Sequence, residues 1–244
     1  MSANPEPNLP DLPDGTVTLL FSDIEGSTAL LKRLGDGWPG VLERQRALLR
    51  ESIDAGGGVV VDCQGDAMFA AFRSARGATA AAASAQVRMA DEEWPDGTAV
   101  RVRMALHCGE PHRTDDGTYT GIDVVRAARL CAAAHGGQVL MTEAARLLSD
   151  AQTIDLGTAQ LRDIDGPERV HQLVGPGLEK SFPPLRTGAA TPLETFGHNA
   201  DDFEGRIARA SETLEQRINE HVAQALEKAF DAPFGKPWGR KKKS

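Results

Sequence analysis

The hydrophobic and polar positions of this chain follow two periods, which predicts strands and helices in alternation. Residues 16–21, TVTLLF, combine β-branched and aromatic side chains, as a central buried strand does. Residues 26–56 place apolar side chains near helical spacing with an interruption at 35–40, which predicts one or two helices. The two short apolar runs that follow are joined by Gln-Gly-Asp at 64–66 and predict a β-hairpin.

The remaining pattern continues to alternate helices with strands. Residues 74–93 are alanine-rich, which predicts a helix that packs closely on a sheet. Residues 121–138 predict a helix that ends at Gly136 and Gly137. Residues 99–110 alternate as a strand does, and one face of that strand holds Val100, Val102, Met104 and Leu106. A further strand and helix at 139–150 and two closing strands within 153–174 complete the series.

These elements predict an α+β domain in which helices pack on a mixed, mainly antiparallel sheet. Apolar residues at steps of three and four from Phe203 to Leu226 add a C-terminal amphipathic helix, which favours packing against protein, as a coiled coil or a lid, over binding to a surface. The basic end is expected to be solvated rather than in contact with lipid. The expected boundaries are a disordered leader at 1–15, the domain at 16–175, a Pro/Gly-rich linker at 176–200, the helix at 201–232 and the basic tail at 233–244.

Composition narrows the class of protein. The chain is 41% hydrophobic and 25% charged, which is typical of a globular protein, and its formal charge of −8 argues against nucleic-acid binding. The three cysteines form no CxxC pair, so neither a zinc site nor a disulfide framework is predicted. The sequence offers no apolar run long enough to span a bilayer and no signal-peptide pattern, so a cytoplasmic location is expected.

Two acidic turns carry the candidate chemistry. Asp23 follows the first strand and Asp66 lies in the hairpin turn, and pairing of these strands would bring the two carboxylates together. Mg²⁺ is commonly held by one or two carboxylates with substrate phosphates and water. The alternative is that Asp23 caps the following helix and Asp66 only forms a turn, and the spacing alone favours this alternative.

A resemblance to a known family changes that balance. Four segments, TVTLLFSDIEGSTAL, GDAMFAAF, VRVRMALHCGE and GIDVVRAARLCAAAHGGQVLMT, resemble in order and spacing the class III adenylyl/guanylyl cyclase catalytic domain of the actinobacterial type. The resemblance implies a ferredoxin-like core and a head-to-tail homodimer with shared active sites. It also implies two Mg²⁺ or Mn²⁺ ions per site, with Asp23, Ile24 and Asp66 as the metal-site residues. Arg129 would reach the partner's nucleotide and stabilise the transition state, although without the resemblance it reads as a structural arginine.

The substrate residues depart from the family's pattern. The backbone N–H groups from Ile24 to Thr28, including those of Gly26, Ser27 and Thr28, are expected to cradle phosphate, and Arg162 is a candidate phosphate contact. Val125 stands where the family orients the ribose with Asn. At the two base-recognition positions, Asp62 and Thr118 match neither the Lys and Asp of adenylyl cyclases nor the Glu and Cys of guanylyl cyclases.

The hydrogen-bond polarity of these two residues suits GTP or a pyrimidine nucleotide better than ATP, because a carboxylate repels the acceptor at N1 of adenine. For Asp62, a solvent-exposed strand end is an equal alternative. The sequence therefore predicts a nucleotidyl cyclase acting on a nucleoside triphosphate. The alternative is a degenerate cyclase-homology domain that binds a nucleotide or a partner as a regulatory module, and Val125 is the residue that favours it.

Overall fold

The structure, a computed structural model, describes residues 12–114 and 117–186. Nine strands lie within these ranges: β1 Val17–Ile24, β2 Gly58–Gln64, β3 Ala67–Phe72, β4 Val102–Gly109, β5 His112–Arg113, β6 Tyr119–Thr120, β7 Val139–Thr142, β8 Thr153–Ala159 and β9 Glu168–Leu173. The α-helices are α1 Ser27–Leu34, α2 Trp38–Ala55, α3 Ala75–Asp91, α4 Ile122–Ala133 and α5 Glu143–Ser149. None of the described helices is both long enough and apolar enough to cross a membrane.

Seven of the strands form one sheet in the order β2-β3-β1-β4-β7-β9-β8. The neighbours β4 and β7 are parallel, and every other neighbouring pair in this sheet is antiparallel. The strands β5 and β6 form a separate two-stranded ribbon. This mixed, mainly antiparallel sheet with packed helices confirms the predicted fold class.

Helices cover both faces of the sheet and build two hydrophobic cores. On one face α2, α3 and α5 pack against alternate residues of the central strands. The apolar face predicted for the strand at 99–110 is buried there, from Val100 just before β4 to Leu106 within it. The alanine stripe of α3 lets that helix approach the sheet closely. On the other face α4 packs on β1, β4 and β7 through Val124, Ala127 and Leu130.

The strand β1 is longer than predicted, and this changes the position of Asp23. The sequence placed Asp23 after the strand, whereas β1 continues to Ile24 because its pairing with β4 extends to Ile24 opposite Val102. Asp23 therefore lies inside the sheet, opposite Arg103. The helix at 121–138 is shorter than predicted, since α4 ends at Ala133.

Both ends of the described chain are packed further than the sequence indicated. Leu12 is fully buried in the second core, and the carbonyl of Pro13 accepts a hydrogen bond from the Tyr119 hydroxyl, so the expected leader includes ordered residues. After β9, residues 175–186 run back along the domain, and we refer to them as the C-terminal segment. The Arg186 N–H donates to the Ala133 carbonyl at 3.1 Å. The predicted helix at 201–232 and the basic tail lie outside the described residues.

Candidate active site

The two acidic residues singled out in the sequence lie side by side at one end of the sheet. The hairpin turn between β2 and β3 consists of Gly65 and Asp66, and β3 pairs with β1 so that Ser22 faces Met68. The Ile24 N–H donates to Asp66 Oδ2 at 3.1 Å. Burial, and then the adjacent Asp23 carboxyl, raises the pKa of Asp66 to about 7. The pairing of the strands thus brings two carboxyl groups that are 43 positions apart in sequence close enough to interact electrostatically.

Helix α2 holds the hairpin turn in place. Gln45 is fully buried, and its Nε2 lies 3.4 Å from the Asp66 carbonyl oxygen. The next residue, Arg46, donates from Nε to the Gly65 carbonyl at 3.0 Å. Neither residue was predicted from the sequence. The available signal was that Gln45 is a polar residue within the apolar stripe that α2 turns to the core.

Asp23 has a cationic partner in the strand beside it. Arg103 lies opposite Asp23 in the β1–β4 register, and its Nε donates to Asp23 Oδ2 at 3.1 Å while its Nη2 makes a second contact with the same oxygen. Both side chains are largely buried, with 18% of Arg103 and 29% of Asp23 exposed. This ion pair was also missed, because it depends on the register between two strands 80 positions apart.

The donor set fits a divalent cation. Two adjacent carboxylates repel each other, and the neighbouring Asp23 adds to burial in raising the pKa of Asp66. A divalent ion between them would relieve the repulsion, and substrate phosphates would complete the oxygen ligands. No cluster of three or more His, Cys, Asp or Glu side chains suited to a metal occurs in residues 12–114 and 117–186, so a metal here depends on this pair.

The turn from β1 into α1 has the form of an anion-binding helix start. Gly26 adopts a positive φ of 69°, and α1 begins at Ser27. Two of the predicted phosphate donors are engaged within the protein: the Ile24 N–H with Asp66, and the Glu25 N–H with the Arg101 carbonyl at 2.9 Å. In this conformation the N–H groups of Gly26, Ser27 and Thr28 remain as candidate donors.

The side chain of Glu25 links this turn to the C-terminal segment. It forms an ion pair with Arg186, and the neighbouring Arg101 forms an ion pair with Glu179 of the same segment. Arg101 also donates to the Gly136 carbonyl at 3.0 Å. These contacts were not predicted, because residues beyond 175 were interpreted as a linker.

Arg129 and Val125 lie one turn apart on α4. Val125 packs against the second core and offers no hydrogen bond to a ribose. Arg129 donates from Nη2 to Asp163 Oδ2 at 2.7 Å, and its side chain is 14% exposed. The buried Nε of Arg129 has no hydrogen-bond partner among the described residues. Arg162 lies near the same carboxylate, with its Nε 3.5 Å from Asp163 Oδ2.

The two predicted base-recognition residues lie in different elements. Asp62 is half-buried in β2 and accepts hydrogen bonds from the Cys63 N–H at 2.7 Å and from Gln64 Nε2 at 2.9 Å. Thr118 lies just before β6, where its N–H donates to Thr114 Oγ1 at 3.3 Å. Each residue therefore makes local contacts, and none of the hydrogen bonds found within the described ranges joins one to the other.

Comparison with known proteins agrees with this geometry. Residues 11–174 match the model of the adenylate and guanylate cyclase catalytic domain. An uncharacterised protein of Mycobacterium tuberculosis is 36% identical over 207 residues, which cover 82% of this chain and 70% of that protein. An adenylate cyclase of Mycosarcoma maydis is 32% identical over 158 residues, covering 54% of this chain and 6% of that protein. Among solved structures, an adenylate cyclase of Trypanosoma brucei in its monomeric state superposes with a TM-score of 0.66 at 27% identity, covering 74% of this chain and 98% of that one.

Proposed function

Because this chain belongs to the family of class III adenylate and guanylate cyclase catalytic domains, we propose that it is a nucleotidyl cyclase. It would convert a nucleoside triphosphate to the 3′,5′-cyclic monophosphate and pyrophosphate at the interface of a homodimer. The observation that carries this proposal is the convergence of Asp23 and Asp66 beside the start of α1. An acidic pair next to a set of helix N–H donors suits a metal-bound triphosphate.

In the proposed reaction the ribose 3′-oxygen attacks the α-phosphorus. The new O3′–P bond would form, the bond from that phosphorus to the oxygen bridging to the β-phosphate would break, and the hydroxyl proton would pass to solvent water. Two Mg²⁺ or Mn²⁺ ions held by Asp23 and Asp66, beside Ile24, would lower the pKa of the hydroxyl and spread the charge of the leaving pyrophosphate. The N–H groups of Gly26, Ser27 and Thr28 would orient the phosphates.

The arginines would complete the charge balance of the transition state. Arg129 of one protomer would approach the nucleotide held by its partner, and Arg162 would contact a phosphate. Arg162 is partly exposed in the loop before β9, whereas Arg129 on α4 is largely buried, and both guanidinium groups lie beside Asp163. Asp62 and Thr118 would face the base, and a carboxylate acceptor with a hydroxyl favours GTP or a pyrimidine nucleotide over ATP.

The test incubates the purified protein with Mn²⁺ and each of the four ribonucleoside triphosphates and measures cyclic product by chromatography. We expect product from GTP, UTP or CTP, and loss of at least about a hundredfold in Asp23→Ala and Asp66→Ala. Asp165→Asn, which changes an exposed acid outside the site, is the matched control. Equal turnover in both alanine variants and the wild type would remove the metal assignment.

A second candidate function is a regulatory module that binds nucleotide without turning it over. Val125 favours this alternative, because the family's ribose-orienting Asn is replaced by a side chain without hydrogen-bonding groups. Calorimetric binding of a triphosphate without any cyclic product, and with dependence on Asp23 and Asp66, would support the module. Restoring the amide with Val125→Asn should then raise turnover if orientation alone is deficient.

A further inference from the structure

The loop before β9 places one carboxylate between two arginines. Asp163 Oδ2 accepts from Arg129 Nη2 at 2.7 Å and lies 3.5 Å from Arg162 Nε. These are the two arginines to which the proposed function gives phosphate contacts. The acid is half exposed, at 52%, whereas Arg129 is largely buried. A negative group thus already occupies the position where two cations converge.

The contact with Asp163 leaves Arg129 incompletely satisfied. Only one donor of its guanidinium meets Asp163, and its buried Nε has no hydrogen-bond partner in the described part of the chain. A guanidinium usually receives an oxyanion through two parallel donors, and a phosphate group offers oxygens that can span both. Arg129 therefore has an unused hydrogen-bond donor, and the acid that holds it is half exposed, so a phosphate group could replace Asp163 as its partner.

The backbone of Asp163 decides which residues can replace it in a test. Its φ is 58°, in the left-handed region that non-glycine residues rarely adopt. The conformation turns the loop between Leu161 and Ile164, which are both buried, while the acid remains at the surface beside the arginines. Asn and Gly tolerate this conformation, so both can replace Asp163 without distorting the turn.

We propose that Asp163 is an internal competitor of the substrate's phosphates: it holds Arg129 and Arg162 until a triphosphate binds and must then be displaced. The inference rests on the proposed function, because that function makes the arginines phosphate ligands. Asp163 would act as a positioning residue that sets the affinity of the site for polyphosphate and keeps the two guanidinium groups together until substrate arrives.

The experiment measures binding of magnesium tripolyphosphate to the full chain by calorimetry at an ionic strength of about 0.15 M, where exposed charges farther than about 8 Å are largely screened. Asp163→Asn and Asp163→Gly should each bind about threefold to fivefold more tightly, which corresponds to the loss of one partly exposed ion pair. The control, Asp165→Asn, makes the same charge change at an exposed position in the same loop and should stay within about twofold of wild type.

Repeating the measurement in a variant without Arg129 separates competition between Asp163 and phosphate from a general effect of net charge. Arg129→Met replaces the guanidinium group by an unbranched apolar side chain. In this variant the gain in tripolyphosphate affinity from Asp163→Asn should fall by at least half. If the full gain persists there, or if Asp165→Asn gives the same gain, the proposal is overturned. Failure of every variant and of the wild type to bind tripolyphosphate overturns it as well.

Measurements of cyclase kinetics test the role of Asp163 separately from the proposed cyclase activity. If turnover occurs, Asp163→Asn should lower the KM for nucleotide by the same factor and leave kcat within about twofold. Tighter tripolyphosphate binding with no cyclic product from any variant would keep the role of Asp163 and reject the cyclase activity. Normal turnover with an unchanged KM would reject the role of Asp163 and keep the activity.

Discussion

At the scale of single residues, the site is defined by two carboxyl groups that lie close enough for their negative charges to repel each other. Asp66 is held by the hairpin turn against Asp23, and burial together with this neighbour raises its pKa to about 7. Arg103 offsets part of the charge by pairing with Asp23. The metal-free protein therefore keeps a proton near neutral pH at a place where a cation could replace it.

This arrangement makes stability depend on pH in a definite direction. The pKa of Asp66 is higher in the folded protein, at about 7, than its ordinary value of 3.8, so the folded state holds a proton that the unfolded state has lost between these pH values. Protonation of Asp66 therefore favours the folded state. This contribution to the free energy of unfolding is fully present below about pH 4 and is lost as the pH rises through 7. Asp66→Asn, which stays neutral, should gain at least about 1 kcal/mol of stability relative to wild type between pH 5 and pH 8.

Urea denaturation at pH 5 and pH 8 in the presence of EDTA measures this difference. Asp165→Asn serves as the control, because it makes the same substitution at an exposed position away from Asp23 and Asp66. A free energy of unfolding for Asp66→Asn that tracks the wild type at both pH values would contradict the placement of Asp66 beside Asp23.

Gln45 allows the positioning of the turn to be tested apart from stability. Its Nε2 contacts the Asp66 carbonyl, while its buried Oε1 has no hydrogen-bond partner within the described residues. Gln45→Met removes an unsatisfied buried acceptor together with the long contact to the Asp66 carbonyl, and these two effects oppose each other, so the free energy of unfolding should stay within about 1 kcal/mol of wild type. The loosened turn should still reduce kcat by about threefold to tenfold. Ser52→Ala, on the same buried face of α2, should leave kcat unchanged, and equal kcat values for both variants would contradict a positioning role for Gln45.

At the scale of elements, local pattern predicted most of the fold but not the register. The helices, the hairpin and the buried face of β4 follow from periodicity, which each segment carries in its own sequence. The pairing of Asp23 with Arg103 depends on how β1 aligns with β4, and no local pattern specifies this alignment. The ribbon of β5 and β6 was not predicted, because two-residue strands carry no period.

The residues of the candidate site likewise fall into those that the sequence predicted and those that it did not. Asp23, Asp66 and Arg129 were reached from motif resemblance, whereas Gln45 and Asp163 were not, because their importance comes from a contact with a neighbour distant in sequence. The C-terminal segment was read as a linker from its proline and glycine content, yet it packs on the domain through Arg186. Composition predicts flexibility of the isolated segment and does not report a docking surface elsewhere in the chain.

The ion pair between β1 and β4 supports a prediction at this scale. Arg103→Met removes the cation beside Asp23 and leaves two adjacent carboxyl groups with less compensation, so the metal-free protein should lose about 1 to 3 kcal/mol of stability. Mn²⁺ should then raise the melting temperature of the variant more than that of wild type, because the ion replaces the lost charge.

Differential scanning calorimetry with EDTA and with Mn²⁺ measures both effects. Arg169→Met breaks an exposed ion pair with Asp155 on the strands β8 and β9 and is the matched control. That control should change stability by less than about 1 kcal/mol and should leave the response to Mn²⁺ unaltered. An equal Mn²⁺ response in Arg103→Met and wild type would argue against a cation site at Asp23.

At the scale of the whole molecule, the proposed site requires two copies of the chain. Asp23 lies on the sheet face that α4 covers, yet the side-chain hydrogen bond found for Arg129 within the described residues goes to Asp163 and not to either acid of the pair. If one protomer supplies the metal ligands and its partner supplies the arginine, then two inactive variants with defects in different parts should complement each other.

Mixing Asp23→Ala with Arg129→Met tests this arrangement. In a mixed dimer one site carries both defects, while the other combines an intact acidic pair with an intact arginine. Random exchange at equal concentrations makes half of the dimers mixed, so the specific activity should recover to about a quarter of wild type when each parent alone is nearly inactive. The control mixes Asp23→Ala with Asp66→Ala: these defects fall in the same half of the site, every site of their mixed dimer is broken, and no recovery is expected. Recovery in the control mixture, or none in the test mixture although mass spectrometry shows mixed dimers, would contradict a shared active site.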